Sequence, residues 1–296
     1  MEVVRYDPAQ CEGLAAVFNQ TLRPVPHCYP AAAEELARAL PPAGHPRLHS
    51  EAAFAASEGG WMAGFIHVAI ERAQEPGARE RGVIRFACYA RGERRAGQSL
   101  LQAAEAHLRD RGVTRVTAFP QEYRYDRLYH LEHAYLSDHM DPVQALLTFH
   151  GYRRSRSEVF LDLPDYEPVT PAPAEAGVEV SLEWREGRGT RPGLVVRAHR
   201  EGKEVGICKC VSCGEYAEAA EAQDWMFTQW LGVEEEVQGR GLGRHLLQRA
   251  LVEMHGVGYR HAAISTDGGN GRAFLFYANC GYRMVDWTHE FGRDLE

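Results

Sequence analysis

The chain has 296 residues, 45% of them apolar, with a formal charge of −8. That acidic balance argues against a general nucleic-acid binder, which needs a basic face to displace counterions from phosphates. No run of residues is long and apolar enough for a membrane span, the N-terminus MEVVRYDPAQ does not read as a secretory signal, and seven scattered cysteines point to a reducing, cytoplasmic setting rather than a disulfide scaffold.

In chain order, candidate helices come first, over about residues 10–19 and 31–40. Gly97-Gln98-Ser99-Leu100-Leu101 begins a second helical stretch that stops at Gly112, and the strand-like RVTAF follows. The segment FPQEYRYDRLYHLEHAYLSDHMD, rich in Tyr and His, then precedes a last helix, and Gly151-Tyr152-Arg153 leads into the strand EVFLDL. Residues 164–177 read PDYEPVTPAPAEAG. Four prolines there exclude a helix interior or a central strand, so an extended linker is expected. This divides the chain into 1–163, a linker over 164–177, and 178–296, with halves of ordinary domain size.

The second half reads as strands VEVSLEW, GLVVRAH, EVGICKCV and DWMFTQWLGV. A helix over about 242–254 carries Leu242, Leu246, Leu247 and Leu251 on one stripe and stops at Gly256 and Gly258. RHAAIST is the next strand. Asn270 is placed to cap a helix to about Asn279, ended by Gly281. The pattern predicts a mixed, largely covered sheet of the α/β or α+β class. The halves resemble each other. Gly97 to Gly112 and Gly243 to Gly258 have the same spacing, each start is followed by Leu-Leu, and each half closes on Gly-Tyr-Arg before a strand. Three matches in one order indicate a duplicated unit.

The most informative segment is VEEEVQGRGLGRHLL, residues 233–247. Gln238-Gly239-Arg240-Gly241-Leu242-Gly243 lies between a strand end and a helix start. Its glycines leave main-chain N–H groups uncovered, and the helix start adds unpaired donors and partial positive charge. The result is a concave anion nest, to which Arg240, Arg244 and His245 add cations, provided Glu234, Glu235 and Glu236 point away. A dinucleotide loop with Asp267 on a ribose is the competing reading. The G-x-G-x-G spacing, and the four residues between the strand end and Gln238, count against it.

Gln238, Gly241 and Gly243 fill the pattern Q/R-x-x-G-x-G/A. Asn270, Ala273, Tyr277, Gly281 and Tyr282 fill N-x-x-A-x-x-x-Y-x-x-x-G-F/Y. In both respects the chain resembles the GNAT N-acetyltransferase superfamily, as a tandem member. The resemblance implies two GNAT-like acyl-CoA N-acyltransferase domains and acetyl-CoA as cosubstrate, with no metal. It places the diphosphate on main-chain groups of Gln238, Gly239, Arg240, Gly241, Leu242, Gly243 and Arg244, and Asn270 and Tyr277 at the same ligand. It also implies a backbone N–H donor to the thioester carbonyl between Leu231 and Val233, and Tyr277 as donor to the departing thiolate. A thiol pKa is about 8.5 and a phenol about 10, so a strong hydrogen bond is the safer claim than full proton transfer. Packing of Tyr277 beside Phe274 and Phe276 is the alternative. A base is not legible; Glu234, Asp224, a water chain and the first half are all candidates.

In the first half, Gly92 stands at the place of Gln238, Arg95 at Gly241 and Leu147 at Tyr277, and only Gly97 is kept. A shifted register on Arg94, Gly97 and Ser99 still has no tyrosine equivalent. The first half is therefore expected to be a non-catalytic relative. The second half lacks the two helices that wall the acceptor site in the family. The Tyr/His-rich insert, 121–141, is expected to line that site or a domain interface, or to form an amphipathic surface helix. Expected partners are a small-molecule or peptide amine, with no nucleic acid and no membrane; a homodimer is compatible with the sequence. An acyl-CoA-binding sensor without turnover is the alternative function. Cys208, Cys210 and Cys213 invite a metal reading, but no second cluster completes four ligands and Cys208 and Cys210, two apart on a strand, read as core residues; His130, Glu132, His133 and His139 form no H-E-x-x-H pattern.

Overall fold

The structure is a computed structural model describing residues 1–41, 44–73, 75, 77–171, 174 and 176–295. The chain forms two compact units, Met1–Glu158 with Asp286–Glu296, and Val159–Val285. This differs from the expected division at 163 and 178 in two ways. Residues 286–295 belong to the first unit, because the end of the last strand hydrogen-bonds there, with Phe291 opposite Ala118 and Asp294 opposite Arg115. The expected linker begins inside the second unit: Tyr166 is buried and its hydroxyl donates to the Leu251 carbonyl at 3.1 Å. Of that linker, residues 172, 173 and 175 lie outside the described residues.

In the first unit the strand order is β1 (Glu2–Arg5), β2 (Leu48–Glu58), β3 (Trp61–Glu71), β4 (Arg81–Tyr89), β5 (Arg115–Ala118) and the end of β13 (Arg283–Asp294). Only β4 and β5 are parallel among these pairs. The helices are α1 (Cys11–Leu22), α2 (Ala33–Ala39), α3 (Arg94–Arg109) and α4 (Asp141–Phe149). α3 buries Ala96, Leu100, Leu101, Ala104 and Leu108, one stripe at helical spacing. The Tyr/His-rich insert is no surface helix. Apart from short 3₁₀ turns and β6 (Leu136–Ser137), which pairs with β13, it is irregular. Tyr123, Tyr125, Tyr129 and Tyr135 are buried, and Tyr125 stacks on Phe86 with centroids 5.0 Å apart. The insert builds core in the first unit because its rings bury large apolar area, and each buried phenol tip then needs a partner. Tyr129, for example, donates to the Tyr135 carbonyl at 2.7 Å.

In the second unit the end of β7 (Arg153–Leu163) is followed in space by β12 (His261–Asp267), β11 (Trp225–Val233), β10 (Lys203–Ser212), β9 (Gly193–Arg200) and β8 (Val178–Arg185). β11 and β12 are parallel, while β8 to β11 form antiparallel pairs. Its helices are α5 (Leu242–Gly256) and α6 (Gly271–Ala278). The face under α5 is dry: a Cβ placed on Gly206 would sit 3.0 Å from Leu246 Cδ1 and 3.5 Å from Leu242 Cδ2. Between β8 and β9 there is no α-helix. Among the described residues no helix is long and apolar enough to cross a membrane.

Candidate functional site

Two parallel strands part company in the second unit. β11 pairs with β12 from Trp225 opposite His261 to Thr228 opposite Ile264, and no further, although β11 continues to Val233. The cause is local. Opposite β10, Lys209 pairs with Trp230 and Cys210 with Thr228, so Gln229 is an extra residue in β11. A bulge of this kind bends its strand and re-aims the side chains after it. Beyond Gln229, the main-chain groups of β11 that face away from β10 have no strand to pair with. Leu231 and Val233 lie on this half-paired end.

The glycine loop follows directly. Glu235–Val237 makes a 3₁₀ turn in which Val237 is buried, and Glu234, Glu235 and Glu236 are exposed to solvent. Gln238 donates through Nε2 to the Val233 carbonyl at 2.8 Å, which ties the loop to the strand end. Its side chain is thereby committed to the loop, and its N–H donates to the Glu235 carbonyl at 3.2 Å. Gly239 and Gly241 have φ values of +78° and +88°, a region that suits glycine, and a Cβ on either would meet no protein atom within 4 Å. The first bond of the α5 ladder runs from the His245 N–H to the Gly241 carbonyl at 3.0 Å. The N–H groups of Leu242, Gly243 and Arg244 precede it and have no intrahelical acceptor. Open space over two glycines beside unpaired N–H donors fits a diphosphate.

A Cβ on Gly243 would stand 4.0 Å from the Phe276 ring, which brings α6 to the side of the loop. Leu242 is buried against the sheet, so only its main chain is available. Arg240 and Arg244 are exposed, and the Arg244 guanidinium lies beside the Cys280 thiol. Burial pushes that thiol up, and Arg244 opposes the shift. Asn270 accepts the Ala273 N–H through Oδ1 at 3.1 Å, so it caps α6 and fixes the helix that carries Tyr277. Tyr277 is buried, with its ring edge-on to Phe276 at 5.1 Å and to Tyr282 at 6.0 Å. Burial, reinforced by the neighbouring Cys208 and Cys210, pushes its phenol well above the ordinary range, so it remains a donor. Core packing and a donor role are thus compatible in one residue. Among the candidate bases, Asp224 is engaged by Arg191 at 2.9 Å and Glu234 faces solvent.

The first unit repeats the frame with a different strand end. β4 pairs with β5 only as far as Ile84 opposite Ala118, and Arg85 is the extra residue between the pairs Val68–Ile84 and His67–Phe86. Here the tyrosine at the strand end closes the gap. The Tyr89 ring lies within 3 Å of where a Cβ on Gly97 would stand, and its hydroxyl donates to the Pro142 carbonyl at 2.6 Å. From Tyr89 to Gly97 the loop is also two residues shorter than from Val233 to Gly243. The bulge, which decides where both strand pairs part, carries no sequence signal of its own.

A mixed sheet whose parallel strands splay ahead of a glycine-lined helix start defines the GNAT class of acyltransferase fold. Residues 191–284 match the family model described as an acetyltransferase (GNAT) domain. Over 99% of this chain and 98% of the other, the structure is similar to a tandem GNAT protein from the clavulanic acid biosynthesis pathway, with a TM-score of 0.67 and 13% identity. A GCN5-related N-acetyltransferase from Sphaerobacter thermophilus matches with a TM-score of 0.61 and 17% identity over 99% and 95% of the two chains. A glucosamine N-acetyltransferase region of a fungal multi-domain GH3 beta-N-acetylglucosaminidase gives 0.63 at 13% identity, covering 99% of this chain and 38% of that one. No curated protein matches the sequence significantly. Residues 191–284 therefore carry a GNAT acetyltransferase domain, and the whole chain has the tandem GNAT fold.

Proposed function

We propose that the chain is an N-acetyltransferase that moves an acetyl group from acetyl-CoA to a primary amine. The observation that carries this reading is the open main-chain cradle over Gly239 and Gly241, set at the end of a strand that has lost its partner. Acetyl-CoA supplies an acyl group activated as a thioester. The chain supplies the rest. N–H groups from Gly239 to Arg244 hold the diphosphate. Unpaired N–H groups between Gln229 and Val233 stand where charge develops on the carbonyl oxygen. The Tyr277 hydroxyl, kept protonated by burial, donates a hydrogen bond to the sulfur as it takes up negative charge. Overall a C–N bond forms, a C–S bond breaks, and one proton passes from the amine to the thiol. The seven cysteines are free thiols, which supports a reducing, cytoplasmic setting.

The test is thiol release from acetyl-CoA across an amine panel, with calorimetry of acetyl-CoA binding alongside. Tyr277→Phe removes the hydroxyl and keeps the ring packing. It is expected to lower kcat about tenfold to a thousandfold while acetyl-CoA affinity changes little. Unchanged turnover would remove Tyr277 from the reaction, and absence of acetyl-CoA binding by the native chain would remove the function.

A further inference from the structure

The second unit leaves one cation unmatched beside the splayed strand. Lys209 is one of only two lysines in the chain, the other being Lys203. It pairs across the strands with Trp230, next to the Gln229 bulge, and its residue is half-buried. Strand alternation puts Gly206, Cys208 and Cys210 on the face under α5, and Lys209 on the opposite face. The second unit supplies no α-helix to that opposite face, and Trp230 there is 60% exposed. With α5 and α6 closing the other side, this is the face from which an acceptor reaches the parted strands.

Lys209 and Gln229 together line a pocket of about 240 Å³ on this face. Its other charged groups are Arg185, Glu186 and Glu215. Arg185 is held by Glu183 at 2.9 Å, and Glu215 takes the Arg188 main-chain N–H at 2.6 Å and its guanidinium at 3.3 Å. Lys209 has no hydrogen bond or ion pair among the described residues, and Glu186 is exposed at the pocket wall. An ammonium lining a pocket with no partner is free to take an anionic ligand.

Building on the proposed acetyl transfer, we infer that Lys209 receives an acidic group of the acceptor, so that the acceptor is a small zwitterion bearing a primary amine and a carboxylate. The carboxylate sits on the Lys209 ammonium. The amine end extends past Gln229 to the strand gap. An amine without the acidic group leaves Lys209 unpaired and forfeits this contact.

Because the chain has two lysines, protein labelled with lysine carrying ¹³C at Cε gives two resonances, assigned with Lys209→Gln. The probes are amino acids and the amines that remain when their carboxylates are removed. Carboxylated probes are expected to shift the Lys209 resonance and leave Lys203 in place. They should also be acetylated about tenfold to a hundredfold faster in kcat/KM than their decarboxylated partners, the usual span for a charged hydrogen bond. Lys209→Gln removes that preference, and Lys209→Arg keeps part of it with native melting. Equal resonance shifts with both probe types, or none, with thiol release proceeding, would overturn the inference and leave acetyl transfer standing. Absence of acetyl-CoA binding would remove the transfer reading instead, and the Lys209 resonance alone would then decide whether the pocket takes carboxylates.

Discussion

At the scale of single residues, the cradle separates what the fold needs from what the ligand needs. Leu242 and Val237 are buried anchors, Asn270 is a cap and Gln238 is a tie to Val233, so the fold uses their side chains. Gly239 and Gly241 are the opposite case, since nothing in the protein occupies the space above them. Gly241→Ala places a methyl in that space and strains a φ of +88°, at a cost of roughly 1 kcal/mol to the fold. Gly92 in the first unit has a φ of +96° and equally open surroundings, so Gly92→Ala carries the same strain. Thermal melts of the two variants are expected to fall by similar amounts. Calorimetry is expected to find acetyl-CoA affinity lost, by about tenfold or more, in Gly241→Ala only. Equal affinities in both would mean that the diphosphate is held elsewhere.

At the scale of elements, periodicity resolved most of the second unit and failed in identifiable places. The strands over β9 to β12, the leucine stripe of α5 and the Asn270 cap of α6 follow from local patterns of spacing two and 3.6, and the structure has them within a residue or two of the expected bounds. The glycine loop was equally legible, because the φ values it requires are written in residue type. The bulges at Gln229 and Arg85 were not legible, since an extra residue in a strand changes no composition and appears only in pairing register. Of the readings for the insert, the surface helix fails, because its tyrosines look amphipathic only in one dimension. Tyr125 and Tyr129 become core only when β4 brings Phe86 to them, and Tyr123 only when it meets Leu48, Ala69 and Val83. The pairing of the final strand is illegible for the same reason: HEFGRDL states that it is a strand but not that its end meets β5. The element comparison also bears on stoichiometry. In the first unit a cavity of about 480 Å³ remains beside Tyr89, Gly92 and Arg94, but the Tyr89 ring stands against Gly97, its hydroxyl is bonded to Pro142, and the loop is two residues shorter. Calorimetry of the native chain is expected to saturate at one acetyl-CoA, and saturation at two would show that Tyr89 does not close the first unit's gap.

At the scale of the whole molecule, the two units differ in how acid acts on them. In the first unit, burial above all holds His45, His67, His107, His133 and His289 below the ordinary imidazole range. The Arg85 guanidinium adds to this at His67, which is fully buried. For a histidine lowered in the folded state, the unfolded chain takes up a proton near pH 6.5 that the folded chain refuses. Stability is then complete above that pH and is lost as pH falls toward the folded pKa, by at most about 1.4 kcal/mol per pH unit for His67. Asp286 acts in the same direction at lower pH. Burial raises its pKa, but hydrogen bonding and charge from His130 outweigh this and leave it below the usual carboxylate range. Its contribution is present above the unfolded carboxylate pKa and disappears as pH falls through the folded one. All six groups lie in the first unit. Hydrogen exchange of the full chain between pH 7.5 and 5, corrected for the intrinsic rate, is therefore expected to show protection lost first in β2 to β4 while β10 to β12 keep theirs. Substituting His67 by Gln should flatten the pH slope of the first unit by about one proton without touching that of the second. Parallel loss of protection in both units, or an unchanged slope in the variant, would refute this origin of acid lability.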